Sequence, residues 1–139
     1  MNKIMVSGGF DPMHVGHVEM LREAWETGMM VVVALNSDEW LMRKKGYVFM
    51  PWVHRREILM ATKYVTKVID FDDSDNTAID ALRKVEPAAF ANGGDRSQGN
   101  VPEEDYCISH GIKLIYEVGG RRKLASSSDL VQATRKFTN

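Results

Sequence analysis

Hydrophobic positions along the chain alternate between strand-like runs and stretches with helical period. Lys3 to Ser7 predicts a short strand, closed by Gly8-Gly9. A helix then starts near His14 or Val15, with Val18, Leu21, Ala24 and Trp25 on its core face and Gly28 as its stop. Met30 to Leu35 is apolar without alternation, as a strand covered on both faces should be. The stretch from Asn36 to Gly46 reads as a polar, basic loop, and Pro51 opens a helix running to about Val65. Lys67 to Phe71 predicts a third strand. Asp72-Asp73-Ser74-Asp75 reads as caps for a helix bearing Ile79, Leu82 and Val85, which Pro87 ends. Ala88 to Asn92 and Ile112 to Val118 complete five strands, with a short helix from Pro102 to His110 between them and a last helix near Ser126. Strands and helices alternating at this spacing imply right-handed βαβ units. The expected fold class is α/β, a single doubly wound Rossmann-like domain over residues 1–139 with a five-stranded parallel sheet and helices on both faces.

Composition agrees with one globular domain: 139 residues, 44% hydrophobic and 27% charged. No apolar run reaches the roughly 18–20 residues that span a bilayer, and the N-terminal residues do not read as a secretion signal, so none is expected. The single cysteine, Cys107, suits a reducing compartment. A net charge of −1 argues against a nucleic-acid backbone as partner. The expectation is a cytoplasmic protein acting on something small, with no nucleic-acid or membrane partner.

The charge is clustered, however. Eight of the 18 Lys and Arg residues fall in Arg43-Lys44-Lys45, Arg55-Arg56 and Arg121-Arg122-Lys123. Two of these clusters lie in loops that follow strands, and the third opens the helix after Pro51. Ligands of doubly wound sheets bind at the carboxyl ends of the strands, where the strand order reverses. Basic and Gly-rich loops converging there suggest a site for phosphates.

The strongest local signal is His14-Val15-Gly16-His17, directly after the Gly-Gly turn. A helix N-terminus presents unpaired N–H groups to an anion. Gly16 allows close approach to the backbone, and two imidazoles three residues apart can donate to a phosphoryl group as charge builds. Bound phosphates would raise the imidazole pKa values and favour the donating cation. Two other readings stay open: capping histidines, or a zinc set with Cys107-x-x-His110, although no acidic ligand pairs obviously with those residues. Trp25 reads as core, Asp72-Asp73 as caps, and Asp95 as either a turn or a site residue.

The run Gly8 to His17 resembles the GxFDxxHxGH signature of the cytidylyltransferase-like nucleotidyltransferases. Asn36-Ser37-Asp38, His54-Arg55-Arg56 and Ser126-Ser127-Ser128 follow in the family's order, so the resemblance runs from about Met5 to Val131. It implies that His14 and His17 contact the nucleotide phosphates, that Arg121, Ser126 and Ser127 hold the outer phosphates, and that Lys44 closes over the reacting groups. Arg122 competes with Arg121 for that role. Gly8, Gly9, Phe10, Asp11, Gly16, Asp38, Gly94 and Asp95 would line the nucleotide, and Arg55 and Lys63 would bind acceptor or nucleotide phosphates. The family also implies a homodimer. Mg²⁺ is expected to travel with the nucleotide, bound by phosphate oxygens, with no metal bound by the protein alone. The stretch from His54 to Val65 resembles glycerol-3-phosphate cytidylyltransferases, which favours CTP. Gly93-Gly94-Asp95 with Asn36-Ser37-Asp38 resembles heptose-1-phosphate adenylyltransferases, which use ATP.

The expected partners are therefore a nucleoside triphosphate and a small phosphorylated acceptor. A phosphate monoester, with its second pKa near ~6, is already an oxyanion at neutral pH and needs no general base. No Ser-His-Asp or Cys-His arrangement suggests a covalent intermediate. Direct in-line attack on the α-phosphorus, expelling pyrophosphate, is the expected reaction. A nucleotide-binding regulator without turnover is the alternative from another class.

Overall fold

The computed structural model describes residues 2–93 and 102–118. Among them lie five parallel strands in the order β3-β2-β1-β4-β5, where β1 is Lys3–Gly8, β2 Met30–Leu35, β3 Lys67–Ile69, β4 Ala89–Gly93 and β5 Lys113–Val118. The helices are α1 (Val15–Glu26), α2 (Asp38–Lys45), α3 (Trp52–Met60), α4 (Ile79–Val85) and α5 (Glu104–Ser109). The apolar run of β2 is buried on both faces, as its sequence required. Val31, Val33 and Leu35 join Ile4, Val6, Leu21 and Leu59 in one core layer, under α1 and α3. Val32 and Ala34 join Met5, Leu82, Phe90 and Cys107 in the other, under α4 and α5. The period-2 alternation of a strand places these two sets on opposite faces.

The strand order reverses between β1 and β4, which pair in parallel through Ile4↔Ala89, Met5↔Phe90 and Val6↔Ala91. The turn joining β1 to α1 therefore sits at the switch point, where α/β sheets hold their ligands.

Several boundaries differ from the expected ones. Asn36–Gly46 is mostly α2, not a loop. Ser37 caps it by accepting the Trp40 N–H, Asp38 and Glu39 occupy its first turn, and Arg43, Lys44 and Lys45 its last, so its charges complement the helix dipole. The helix after Pro51 stops at Met60, well short of Val65. The Asp72–Asp75 run does not cap α4, whose N-cap is Ala78 without a side-chain bond. Asp72 instead accepts from Ser74, which holds its carboxyl below the usual range, and Asp75 accepts from Thr77. The helix expected near Ser126 lies outside the described residues.

Candidate functional site

At the carboxyl end of β1 the chain turns sharply and enters α1. His14 is the N-cap, with extended backbone, and its Nδ1 accepts the Gly16 N–H at 3.1 Å. The Nδ1 of His17 in turn accepts the His14 N–H at 3.1 Å. Two backbone donors that a helix start leaves unpaired are thus capped by imidazoles. In the neutral rings each proton must then reside on Nε2. The rings stack with centroids 3.9 Å apart, and Phe10 packs on His17 at 4.5 Å. Gly16 is needed beside this pair, because a Cβ there would lie 2.9 Å from His14 Cε1.

Burial, then the charges of His14 and Lys45, push His17 down to about 3. His17 is accordingly a neutral Nε2–H donor in the protein by itself, and the cationic form expected beside bound phosphates concerns the loaded site. The cap agrees with this neutral state, because a proton on Nδ1 would remove the acceptor that the His14 N–H requires. The cap and the phosphate-donor readings are compatible, since they use different nitrogens of one ring.

Asp11, fully buried, closes the turn from its other side. Its two oxygens accept the Phe49 and Met50 N–H groups, each at 2.7 Å, and tie the chain after α2 to the β1–α1 turn. Gly9 packs so closely on α2 that a Cβ would meet Leu41 Cδ2 at 2.9 Å. Gly8 is the last residue of β1, in register with Leu35. On α2, the ammonium of Lys44 lies over the Trp40 ring at 5.8 Å. Lys45 is the lysine whose charge reaches His17, and the sequence reading did not single it out. The signal for it was available: a Ser cap, acidic first turn, basic last turn and terminal Gly mark a helix, whose phase separates residues 44 and 45 by 100°.

Arg55 departs most from expectation. It is 1% exposed, and its guanidinium donates to Gly9 O (2.9 Å), Asn36 O (2.8 Å), Met50 O (2.9 Å) and Asp38 Oδ1 (2.6 Å). A side chain so committed is not presented to an acceptor phosphate; it holds loops together. Asp38, expected beside the nucleoside, pairs with it from the first turn of α2. Asp73 is a further buried tie that sequence reasoning assigned to capping. It accepts from Asn36 Nδ2, Ser37 N and Ser37 Oγ, fixing the exit of β2. Beyond it, Ser37, Asp38, Glu39, Trp52 and Asp70 help line an open cleft of about 350 Å³ at the ends of β2 and β3. Its carboxylates suit hydroxyl or ammonium donors better than phosphate.

Lys63 lies elsewhere. Its ammonium sits over Trp25 (5.3 Å) and Tyr64 (5.5 Å), beside the last turn of α1. Eight residues at 1.5 Å each put Trp25 about 12 Å along the helix from His17, so within one chain Lys63 does not join the histidines. Trp25 itself is 44% exposed and edge-stacked on Tyr64 rather than in the core. Cys107 and His110 do not approach the histidine pair: Cys107 packs into the layer under α4 and α5, where burial and then Glu103 push its thiol up to about 11, and His110 stacks on Tyr106 at 3.9 Å. Among the described residues no three His, Cys, Asp or Glu side chains cluster as metal ligands. Gly94, Asp95, Arg121, Arg122, Ser126 and Ser127 lie outside the described residues.

Known proteins resemble this chain in sequence, and a solved structure resembles it in fold. The structure of a lipopolysaccharide core biosynthesis protein from Thermoplasma volcanium superposes with a TM-score of 0.70 over 88% of this chain and 99% of that one. At 20% identity it speaks for the fold alone. The bifunctional protein HldE of Geobacter metallireducens is 33% identical over 122 residues, 85% of this chain but 24% of the relative. That of Methylobacillus flagellatus is 35% identical over 134 residues, 88% of this chain and 27% of the relative. The chain thus spans about a quarter of the length of these HldE proteins. The glycerol-3-phosphate cytidylyltransferase of Bacillus subtilis is 36% identical over 69 residues, 50% of this chain and 54% of that enzyme. The cytidylyltransferase-like family model matches residues 5–133, from the middle of β1 to beyond β5, and the chain therefore belongs to the cytidylyltransferase-like family of nucleotidyltransferases.

Proposed function

We propose that the protein transfers a nucleoside monophosphate from a nucleoside triphosphate to a small phosphorylated metabolite, releasing pyrophosphate. The observation that carries this reading is the paired imidazole cap of α1 at the switch point. It combines a helix N-terminus, which favours an anion, with two Nε2–H donors held by their own Nδ1 bonds. Donors fixed before the reaction need no reorganisation as charge develops on the α-phosphate. The acceptor phosphate attacks in line, the bond to the β-phosphate breaks, and pyrophosphate leaves with that electron pair.

In this reading His14, His17 and Lys44 act on the reacting phosphates together with Arg121, Ser126 and Ser127. Mg²⁺ enters on the triphosphate and offsets its charge. The buried Asp11 carboxylate already accepts two backbone N–H groups, so it is a poor candidate to hold the ion.

For the base, His54 to Val65 supports CTP with a polyol phosphate such as glycerol 3-phosphate. The second reading is ATP with a sugar phosphate. It is favoured by the longer match to HldE, 85% of the chain against 50% for the cytidylyltransferase.

Thermal unfolding with each nucleoside triphosphate and Mg²⁺, followed by pyrophosphate release over a panel of phosphorylated acceptors, tests the proposal. A ligand at about 100 times its Kd stabilises the fold by roughly 2.7 kcal/mol. The expected outcome is a selective upward shift with CTP or ATP, and pyrophosphate release with a polyol or sugar phosphate respectively. A shift without release supports the regulator, and no shift with any triphosphate overturns the phosphate site itself.

A further inference from the structure

We infer that Arg55 is a positioning residue for this reaction: without touching a phosphate, its buried guanidinium fixes the β1–α1 turn and covers carbonyl oxygens that would otherwise face the polyanion. The inference deepens the nucleotidyl-transfer reading and rests on it.

The carboxyl ends of parallel strands and the turns that follow them carry carbonyl groups, and a carbonyl oxygen turned towards a triphosphate repels it. Arg55 donates to two such oxygens, Gly9 O after β1 and Asn36 O after β2, and to Met50 O before α3. Because the peptide is trans, holding Gly9 O turns the Phe10 N–H the opposite way. Phe10 sits at φ +49, a left-handed backbone that a bulky residue keeps only where its surroundings over-determine it. The surroundings here form a closed ring: Arg55 grips Met50 O, Asp11 grips Met50 N, and Gly9, two residues before Asp11, returns to Arg55. His14 leaves this ring three residues after Asp11. Asp38 balances the buried charge from the outer side. Lysine can keep the charge, but its three donors radiate from a single nitrogen, whereas the planar guanidinium reaches the Met50, Gly9 and Asn36 carbonyls and the Asp38 carboxylate from three.

The experiment compares wild type, Arg55→Lys and Arg55→Gln, with circular dichroism to establish folding. It reads kcat and KM for the triphosphate, and follows ¹⁵N amide and arginine Nε resonances during titration with inorganic pyrophosphate. In the wild type the Gly9 and Phe10 amide resonances are expected to shift while the Arg55 Nε–H resonance stays in place. In both variants kcat is expected to fall by about 100-fold, the scale of a 1 Å misplacement, with a smaller rise in KM from the uncovered carbonyls and Lys no better than Gln. A raised KM with unchanged kcat, substantial rescue by Lys, or an Arg55 Nε–H resonance that moves with pyrophosphate would overturn the inference in favour of a direct phosphate ligand. If neither variant folds, the wild-type titration decides alone. Should the wild type release no pyrophosphate with any acceptor, the transfer reading fails, and the resonances still report whether Arg55 meets the anion.

Discussion

Replacing His17 by Asn separates two roles that one imidazole combines. Asn Oδ1 can stand where Nδ1 accepts the His14 N–H, so the α1 cap survives, but nothing replaces the Nε2–H. At neutral pH the expected outcome is a melting temperature close to that of the wild type with turnover lower by about 10²–10³, the cost of one lost transition-state donor. Full activity in a pyrophosphate-release assay would remove His17 from the mechanism. The same variant reports on proton linkage. The unfolded chain takes up a proton on His17 near pH 6.5, which the folded protein refuses until about pH 3. Acidification between those values therefore favours unfolding in the wild type, and stability contributed above pH 6.5 is lost as pH falls. His17→Asn lacks this site, so its melting temperature should decline less steeply with acidity. The residue pattern alone pointed to both histidines. It did not show the protonation of His17, because that depends on how the folded chain buries the ring and which nitrogen the backbone engages.

The connections between elements are held by buried polar side chains, and their strength is testable at Asp11. Its carboxylate satisfies two adjacent N–H groups with no exposure to water. In Asp11→Asn the amide NH₂ would oppose one of those donors, leaving it unpaired. A loss of about 2–3 kcal/mol is expected by urea denaturation, from the weaker bond and the desolvated donor. A loss under about 0.5 kcal/mol would mean that the segment around Met50 moves away at little cost. Asp11 and Arg55 both stood out in the sequence, yet their partners lie up to 46 residues away. Sequence spacing cannot distinguish a buried guanidinium that ties loops together from an exposed one that binds phosphate. The α2 helix is a different kind of miss. Its caps and charge gradient were legible locally, but the weight given to a polar composition hid them.

At the scale of the whole molecule, one sheet separates two apolar layers, and Phe90 on β4, between β1 and β5, fills the layer under α4 and α5. Phe90→Ala should cost about 3–5 kcal/mol through lost burial and the cavity left behind. For a domain of this size that lowers the melting temperature by about 10–15 °C, measurable by calorimetry. A drop of only 2–3 °C would show that the layer collapses around the gap. By itself, the sequence determined the α/β class, the five strands, the switch from strand to helix at Gly8 to His17, and the family, because hydrophobic period and short-range turn chemistry are local properties. Only the tertiary structure decided the order β3-β2-β1-β4-β5, the removal of Lys63 from the histidines, and the burial of Arg55. Those outcomes depend on which distant segments meet, and a side chain's role at such a junction is set by the carbonyls and charges it finds there.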